Sequence, residues 1–293
     1  MSLDYVLITP AHNEATFIEK TLQSVVAQTI LPKRWIIVSD GSTDATDELV
    51  RKYQPGREWV ELIRLPERKE RNFAAKVNAV NAGYERVKPL TFDIIGNLDA
   101  DVSFGSDYIE YLLGQFEAMP KLGVAGTHYI EGDFHSYRDS YINVHHVNGQ
   151  IQLFRRACFQ EIGGYVPIKG GGIDWVAVTT ARMKGWTTYS FGERTFEHHR
   201  KMGTGNHRSL MITWKGGYHD YLMGGHPIWQ VFRCLYQMTK KPFLVSGCVL
   251  CAGYFWAMVT RAQQPVPKEL VAFRRREQMS RLKGFLRRLA FNC

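Results

Sequence analysis

The chain has 293 residues, 45% of them hydrophobic and 13% aromatic, with a formal net charge of +9 and 5 cysteines. This length and apolar fraction bound it to one large globular domain, or a domain with an appendage, and exclude a disordered chain. Cys158, Cys234, Cys248, Cys251 and Cys293 are scattered, which excludes a disulfide framework; Cys248 and Cys251 form a CxxC without a second pair or histidine cluster and are read as packing.

Met1-Ser2-Leu3-Asp4 leads straight into the strand-like Tyr5-Val6-Leu7-Ile8, with no leader pattern, so a cytoplasmic protein is expected. "YVLITPAHNE" reads as a buried strand running into a polar loop, and "TFIEKTLQSVVAQ" as a helix with Ile18, Leu22, Val25 and Val26 on one face. "RWIIVSDGSTD" is again a strand and turn, and "TDELVRKYQ" a helix that Ser42 or Asp44 would cap. A third apolar run, Phe92 to Ile95, enters "GNLDADVSF". If the chain stays extended there, Asp99 and Asp101 project to one side and need a counter-ion; otherwise they are solvated loop residues.

Strands alternating with helices imply an α/β fold with a parallel sheet, whose ligands bind at the carboxyl ends of the strands. "PAHNE", "SDGSTD" and "NLDADV" all fall there, and none is a dinucleotide fingerprint or a P-loop.

Pro10-Ala11-His12-Asn13-Glu14, Ser39 to Asp44 and Asp99-Ala100-Asp101 together resemble the family 2 glycosyltransferases, over roughly Leu3 to Gly205. The resemblance implies the GT-A fold, a Rossmann-like mixed or parallel sheet flanked by helices, and an inverting enzyme that uses a nucleoside diphosphate sugar. It implies donor-binding roles for Pro10, His12, Glu14, Asp40, Arg71, Lys76 and Asp99, with Asp40 reading the nucleobase; His12, Arg71 and Lys76 are otherwise surface residues, and His198 is otherwise a structural strand-end histidine. It also implies a divalent cation, Mg²⁺ or Mn²⁺, on Asp99, Asp101 and His198, and such an ion suits carboxylate and phosphate oxygens. His198 and His199 are adjacent in a strand, so only one of them can face the cation. Arg200 and Lys201 are placed to reach phosphate, and Gly203-Thr204-Gly205 to make a pliable loop. Asp40 favours uracil, because a carboxylate accepts from its N3–H, although guanine also offers a donor.

Transfer also needs a base for the acceptor's proton. Asp174 in "GGGIDWVAVTTARMKGW" is the candidate, delivered by a Gly-rich loop to a helix start, where it otherwise serves as an N-cap. Ile173 replaces the family's usual Glu, Ser39 stands where an Asp is frequent, and Glu131, Asp133 and Asp139 are lower-ranked rivals of Asp174.

Beyond residue 205 the resemblance ends. Residues 216–241 suggest one amphipathic helix, and the uncharged stretch 242–259 would reach roughly 27 Å as a continuous helix, against about 30 Å of bilayer hydrocarbon. Arg274, Arg275, Arg276, Arg281, Lys283, Arg287 and Arg288 then crowd the C-terminus. The expected organisation is a catalytic domain over 1–205, with a donor half to 130 and an acceptor half over 131–205, followed by a helical, basic, membrane-associating tail over 206–293. The expected partners are a nucleoside diphosphate sugar, a glycan or polyprenyl-linked acceptor and an anionic membrane surface, with no nucleic acid and an open oligomeric state. The enzyme would lie peripherally or monotopically at the cytoplasmic face. A buried helix or an oligomer interface is the other reading of 242–259. A sugar nucleotidyltransferase and a basic nucleic-acid-binding protein are the other functional readings.

Overall fold

The N-terminal alternation builds the parallel half of one sheet. Strands β1 (Tyr5–Ala11), β2 (Arg34–Asp40), β3 (Val60–Leu65) and β4 (Ile94–Leu98) lie in the order β3-β2-β1-β4, all parallel, linked by α1 (Ile18–Val26), α2 (Thr46–Tyr53) and α3 (Phe73–Val87). Tyr5, Val6, Leu7 and Ile8 are all buried, as a central strand covered by helices on both faces requires. The computed structural model describes residues 3–67, 73–136, 144–168, 171–200 and 206–291. Arg71, Asp139, Lys201 and residues 203–205 lie outside them.

The second half of the sheet is mixed. Beside β4 runs β8 (Ile151–Arg155), antiparallel to it, then β6 (Leu122–Glu131), antiparallel to β8; β9 (Thr187–His198) follows, parallel to β6, and β5 (Val102–Phe104) closes the order, antiparallel to β9. A short β7 (Phe134–His135) hairpins onto β6, and α4 (Tyr108–Ala118), α5 (Arg156–Glu161) and α6 (Ile173–Met183) complete this unit, which spans Met1–Lys201. The result is the α/β architecture of the GT-A fold.

Two local alternatives are resolved. Residues 99–101 form a turn between β4 and β5 instead of extending the strand, so Asp99 and Asp101 take separate partners. At α2 the N-cap residue is Ala45, neither Ser42 nor Asp44; Asp44, one residue earlier, accepts the Thr46 N–H at 3.0 Å, and Ser42 Oγ accepts from the Asn13 N–H at 3.1 Å.

The second unit, Met202–Cys293, is helical: α7 (Asn206–Leu222), α8 (Pro227–Met238), α9 (Val245–Val259) and α10 (Lys268–Phe291). The expected single helix over 216–241 breaks at Gly224, whose φ of +76° suits glycine, and restarts with Pro227, which needs no N–H partner in a first turn. Arg274 is not a surface arginine; it is buried and donates to Asp220 at 2.6 Å, and Asp220 also pairs with Arg233. Cys248 is exposed, contrary to a packing role. The helix within 242–259 has 15 residues, about 22 Å, and among the described residues no helix is long and apolar enough to cross a membrane.

Candidate active site

The loops after β1 and β2 are stitched together at the carboxyl edge of the sheet. Pro10 sits in register with Val38, His12 Nδ1 donates to the Asp40 carbonyl at 2.6 Å, and Asn13 Oδ1 accepts from the Thr43 N–H at 2.8 Å. The backbone N–H groups of Glu14 and Ala15 donate to Thr46 Oγ1 (2.8 Å) and Asp44 Oδ2 (3.0 Å). Gly41 makes the turn possible: its φ is +66°, and a Cβ there would stand 2.7 Å from Glu67 Cα. Asp40 is thereby held buried at the end of β2.

The loop after β4 carries the charge. Asp99 Oδ1 accepts from Lys76 Nζ at 2.5 Å, while Asp101 Oδ2 accepts from Arg200 Nε at 3.1 Å and lies 3.5 Å from His198 Nε2. Arg200 reaches on to Glu14, so the loops after β1 and β4 and the end of β9 meet at one guanidinium. His198 donates through Nδ1 to Glu131 Oε2 at 2.9 Å. His199 turns the other way, with Nε2 2.8 Å from Ser103 Oγ and Nδ1 3.3 Å from Lys20 Nζ.

These environments drive the two aspartates apart. Burial, with Asp101 nearby, raises the Asp99 carboxyl despite Lys76, whereas at Asp101 the cations His198 and Arg200 outweigh burial and hold the carboxyl below its ordinary value. Burial opposes the Lys76 charge, but Asp99, Asp174 and Asp101 raise it overall. Burial likewise opposes the imidazolium of His198, yet Asp101 and Glu131 raise its pKa. Glu14 is raised by burial and by Asp101 and Asp99, with Arg200 acting against them.

Asp174 lies in the first turn of α6, where Gly172, not Asp174, is the N-cap residue. Its carboxylate packs on Gly149: a Cβ there would stand 2.6 Å from Asp174 Oδ2. The same loop accepts hydrogen bonds from the β4 end, Asn97 Nδ2 to Gly149 O at 3.1 Å and Asp99 N to Gln150 O at 2.8 Å. Buried Tyr165 donates to Gln152, and burial together with the fields of Asp174 and Asp99 pushes its hydroxyl far up. The structure thus gathers Asp99, Lys76 and Asp174 on one side and Asp101, His198, Glu131, Arg200 and Glu14 on the other. Arg71 lies outside the described residues.

Sequence reasoning ranked Glu131 only as a rival base; its partnership with His198 joins β6 to β9 across 67 positions. Period-two alternation from Tyr129 would place Glu131 on one face of its strand but name no partner. Nothing local marks Gly149.

Among the described residues no cluster of three or more His, Cys, Asp or Glu side chains could hold a metal ion. The residues nevertheless fit a cation that is shared with a ligand. With Nδ1–H committed to Glu131, the other ring nitrogen of His198 faces the Asp101 carboxylate, the arrangement in which a carboxylate orients a metal-binding imidazole. Mg²⁺ and similar ions are held by one or two carboxylates plus substrate phosphates, not by all-protein cages.

Residues 6–171 match the family described as glycosyl transferase family 2. The chain is 35% identical over 112 residues to the poly-beta-1,6-N-acetyl-D-glucosamine synthase of Staphylococcus aureus, a match covering 38% of this chain and 25% of that protein. The synthase of the same name from Staphylococcus epidermidis is 30% identical over the same length and coverage. The chain therefore aligns with about a quarter of the length of these curated relatives. In fold it resembles the mannosyltransferase PcManGT from Pyrobaculum calidifontis, solved with GDP-Man and Mn²⁺ (TM-score 0.60, 18% identity, 99% of this chain and 81% of that one). It also resembles S. aureus TarS 1-349, solved with UDP-GlcNAc (TM-score 0.55, 11% identity, 86% and 72%).

Proposed function

The chain belongs to glycosyl transferase family 2, and we propose that it moves a sugar, with inversion, from a nucleoside diphosphate sugar to a hydroxyl of a glycan or polyprenyl-linked acceptor, assisted by Mg²⁺ or Mn²⁺. That it is a sugar-transferring enzyme follows from the family. UDP is the favoured donor nucleotide, from the pairing of Asp40 with a uracil N3–H. In this reading residues 1–130 hold the donor, 131–205 the acceptor, and 206–293 keep the enzyme peripheral or monotopic at the cytoplasmic face of the membrane.

The observation that carries the proposal is the Glu131–His198–Asp101 alignment beside Asp99 at the carboxyl edge of the sheet. Asp101 and His198, with Asp99, would hold the cation, which when bound neutralises charge developing on the leaving diphosphate. Pro10 and His12 shape the wall beside Asp40 for the base. Glu14 holds Arg200, and Arg200, Lys76 and Arg71 supply positive charge for the phosphates. Asp99, tied to Lys76, meets the ribose. On the acceptor side Asp174 takes the proton of the attacking hydroxyl as its oxygen bonds to the anomeric carbon and the bond to the diphosphate breaks. Such a base contributes about 10²–10⁴ in rate.

A donor panel tests this. Released nucleoside diphosphate is measured with UDP- and GDP-sugars in Mn²⁺, and the product's anomeric configuration is read by NMR. UDP-sugar turnover with inverted product is expected; retained configuration contradicts the displacement, and turnover confined to GDP-sugars contradicts the role given to Asp40.

A further inference from the structure

A helix lying on a water-exposed surface turns polar residues outward. Helix α9 does the opposite. Its outward stripe is Val245, Cys248, Ala252, Trp256 and Val259, all exposed, at spacings of three and four residues, and no charged residue occurs from Pro242 to Thr260. Its other sides are used up: a Cβ on Gly253 would stand 2.1 Å from Trp214 O of α7, and one on Gly247 would stand 2.4 Å from Cys234 O of α8. Backbones brought this close through glycine are the packing style of helices in lipid. The neighbouring α8 repeats the pattern with exposed Ile228, Val231 and Leu235, and the turn joining the two helices presents Phe243 (60% exposed) and Leu244 (65%) at its tip.

The charges around this hairpin select its occupant. Exposed Lys240 and Lys241 sit at the tip and exposed Arg261 just past the end of α9. Phe285 of α10 packs on Phe232 of α8 with ring centroids 5.2 Å apart, so the part of α10 that carries the exposed Lys283, Arg287 and Arg288 runs beside the hairpin. A second copy of the chain would bring a like set of cations against these in a self-complementary interface. An anionic surface is attracted by them, and a residue such as Trp256 belongs at the headgroup level of a bilayer. At about 22 Å α9 is too short to span about 30 Å of hydrocarbon, so it lies in the interface.

We infer that the α8–α9 hairpin is a monotopic seat on an anionic phospholipid surface, with Phe243 and Leu244 inserted, the α9 stripe in the acyl boundary and Lys240, Lys241 and Arg261 on the headgroups. This rests on the peripheral placement proposed above and names the surface that achieves it.

The test uses the full chain and vesicles of phosphatidylcholine with or without phosphatidylglycerol. Wild-type protein is expected to float with the anionic vesicles, and brominated lipid to quench fluorescence that is lost in Trp256→Phe. The Phe243→Ser/Leu244→Ser variant is expected to partition at least about tenfold more weakly, with its melting temperature and UDP binding unchanged. Wild-type flotation that the double variant retains, with Trp256 unquenched, overturns the hairpin seat and leaves the peripheral placement standing. Failure of wild-type protein to float at low salt overturns both. A lipid-free dimer that the double variant converts to monomer shows that a second copy covers the face and overturns the inference.

Discussion

Asp101 Oδ2 stands 3.5 Å from His198 Nε2, beyond the usual 2.7–3.2 Å of an N–H···O hydrogen bond. The two groups face each other without closing, because Glu131 anchors the far side of the ring at 2.9 Å and Arg200 draws the Asp101 oxygen at 3.1 Å. Glu131 is thus a positioning residue. Glu131→Gln is expected to weaken Mn²⁺ binding by about 10–100-fold, measured by calorimetry in the presence of UDP, with little change in nucleotide affinity in EDTA.

The same geometry sets a pH dependence. In metal-free protein burial disfavours a charged His198, but Asp101 and Glu131 prevail and raise its pKa. Stability from such a group is fully present below the unfolded pKa of about 6.5 and is lost as pH rises through the folded value. In EDTA the melting temperature is expected to fall as pH climbs through that window, and His198→Gln to remove this part of the fall.

Arg200 neutralises Asp101 and Glu14 where a cation would bind. Arg200→Gln removes a positive charge from the side of Asp101, so Mn²⁺ alone is expected to bind more tightly and UDP, in saturating Mn²⁺, more weakly. Paired titrations with metal and nucleotide separate the two effects; loss of both affinities contradicts the role.

On the acceptor side, Asp174→Asn is expected to keep donor binding and lose transfer by about 10²–10⁴. Gly149→Ala should act through the same group, because the added methyl would stand 2.6 Å from Asp174 Oδ2. A lowered kcat with unchanged UDP affinity in both variants is the expected pattern, and transfer within a few-fold of wild type excludes Asp174 as the base.

Much of this was legible where the signal is local. The apolar run Tyr5 to Ile8, the polar turns at 10–14 and 39–44, and the Asp99-x-Asp101 spacing all announce strand ends, because period and turn chemistry act over a few residues. The opposite orientations of His198 and His199 follow from strand alternation. What did not show is tertiary. The pairing of Lys76 with Asp99, of Glu131 with His198 and of Gly149 with Asp174 joins residues 23, 67 and 25 positions apart, and no spacing rule names such partners. Whether 99–101 extends or turns stayed open in the sequence, because two charges beside a buried strand do either according to cations supplied from elsewhere. Arg274 escaped for the same reason: within a basic run, only the fold shows that Asp220 has drawn one arginine inward.

Calorimetric titration of UDP into wild-type protein and Asp101→Asn, each with Mn²⁺ and with EDTA, reads out whether a nucleoside diphosphate binds through a divalent cation at Asp101. Tight UDP binding is expected only for wild type with Mn²⁺, and weaker GDP binding under the same conditions. Equal affinity for UDP in Mn²⁺ and in EDTA, or binding that survives unchanged in Asp101→Asn, would contradict binding through that cation.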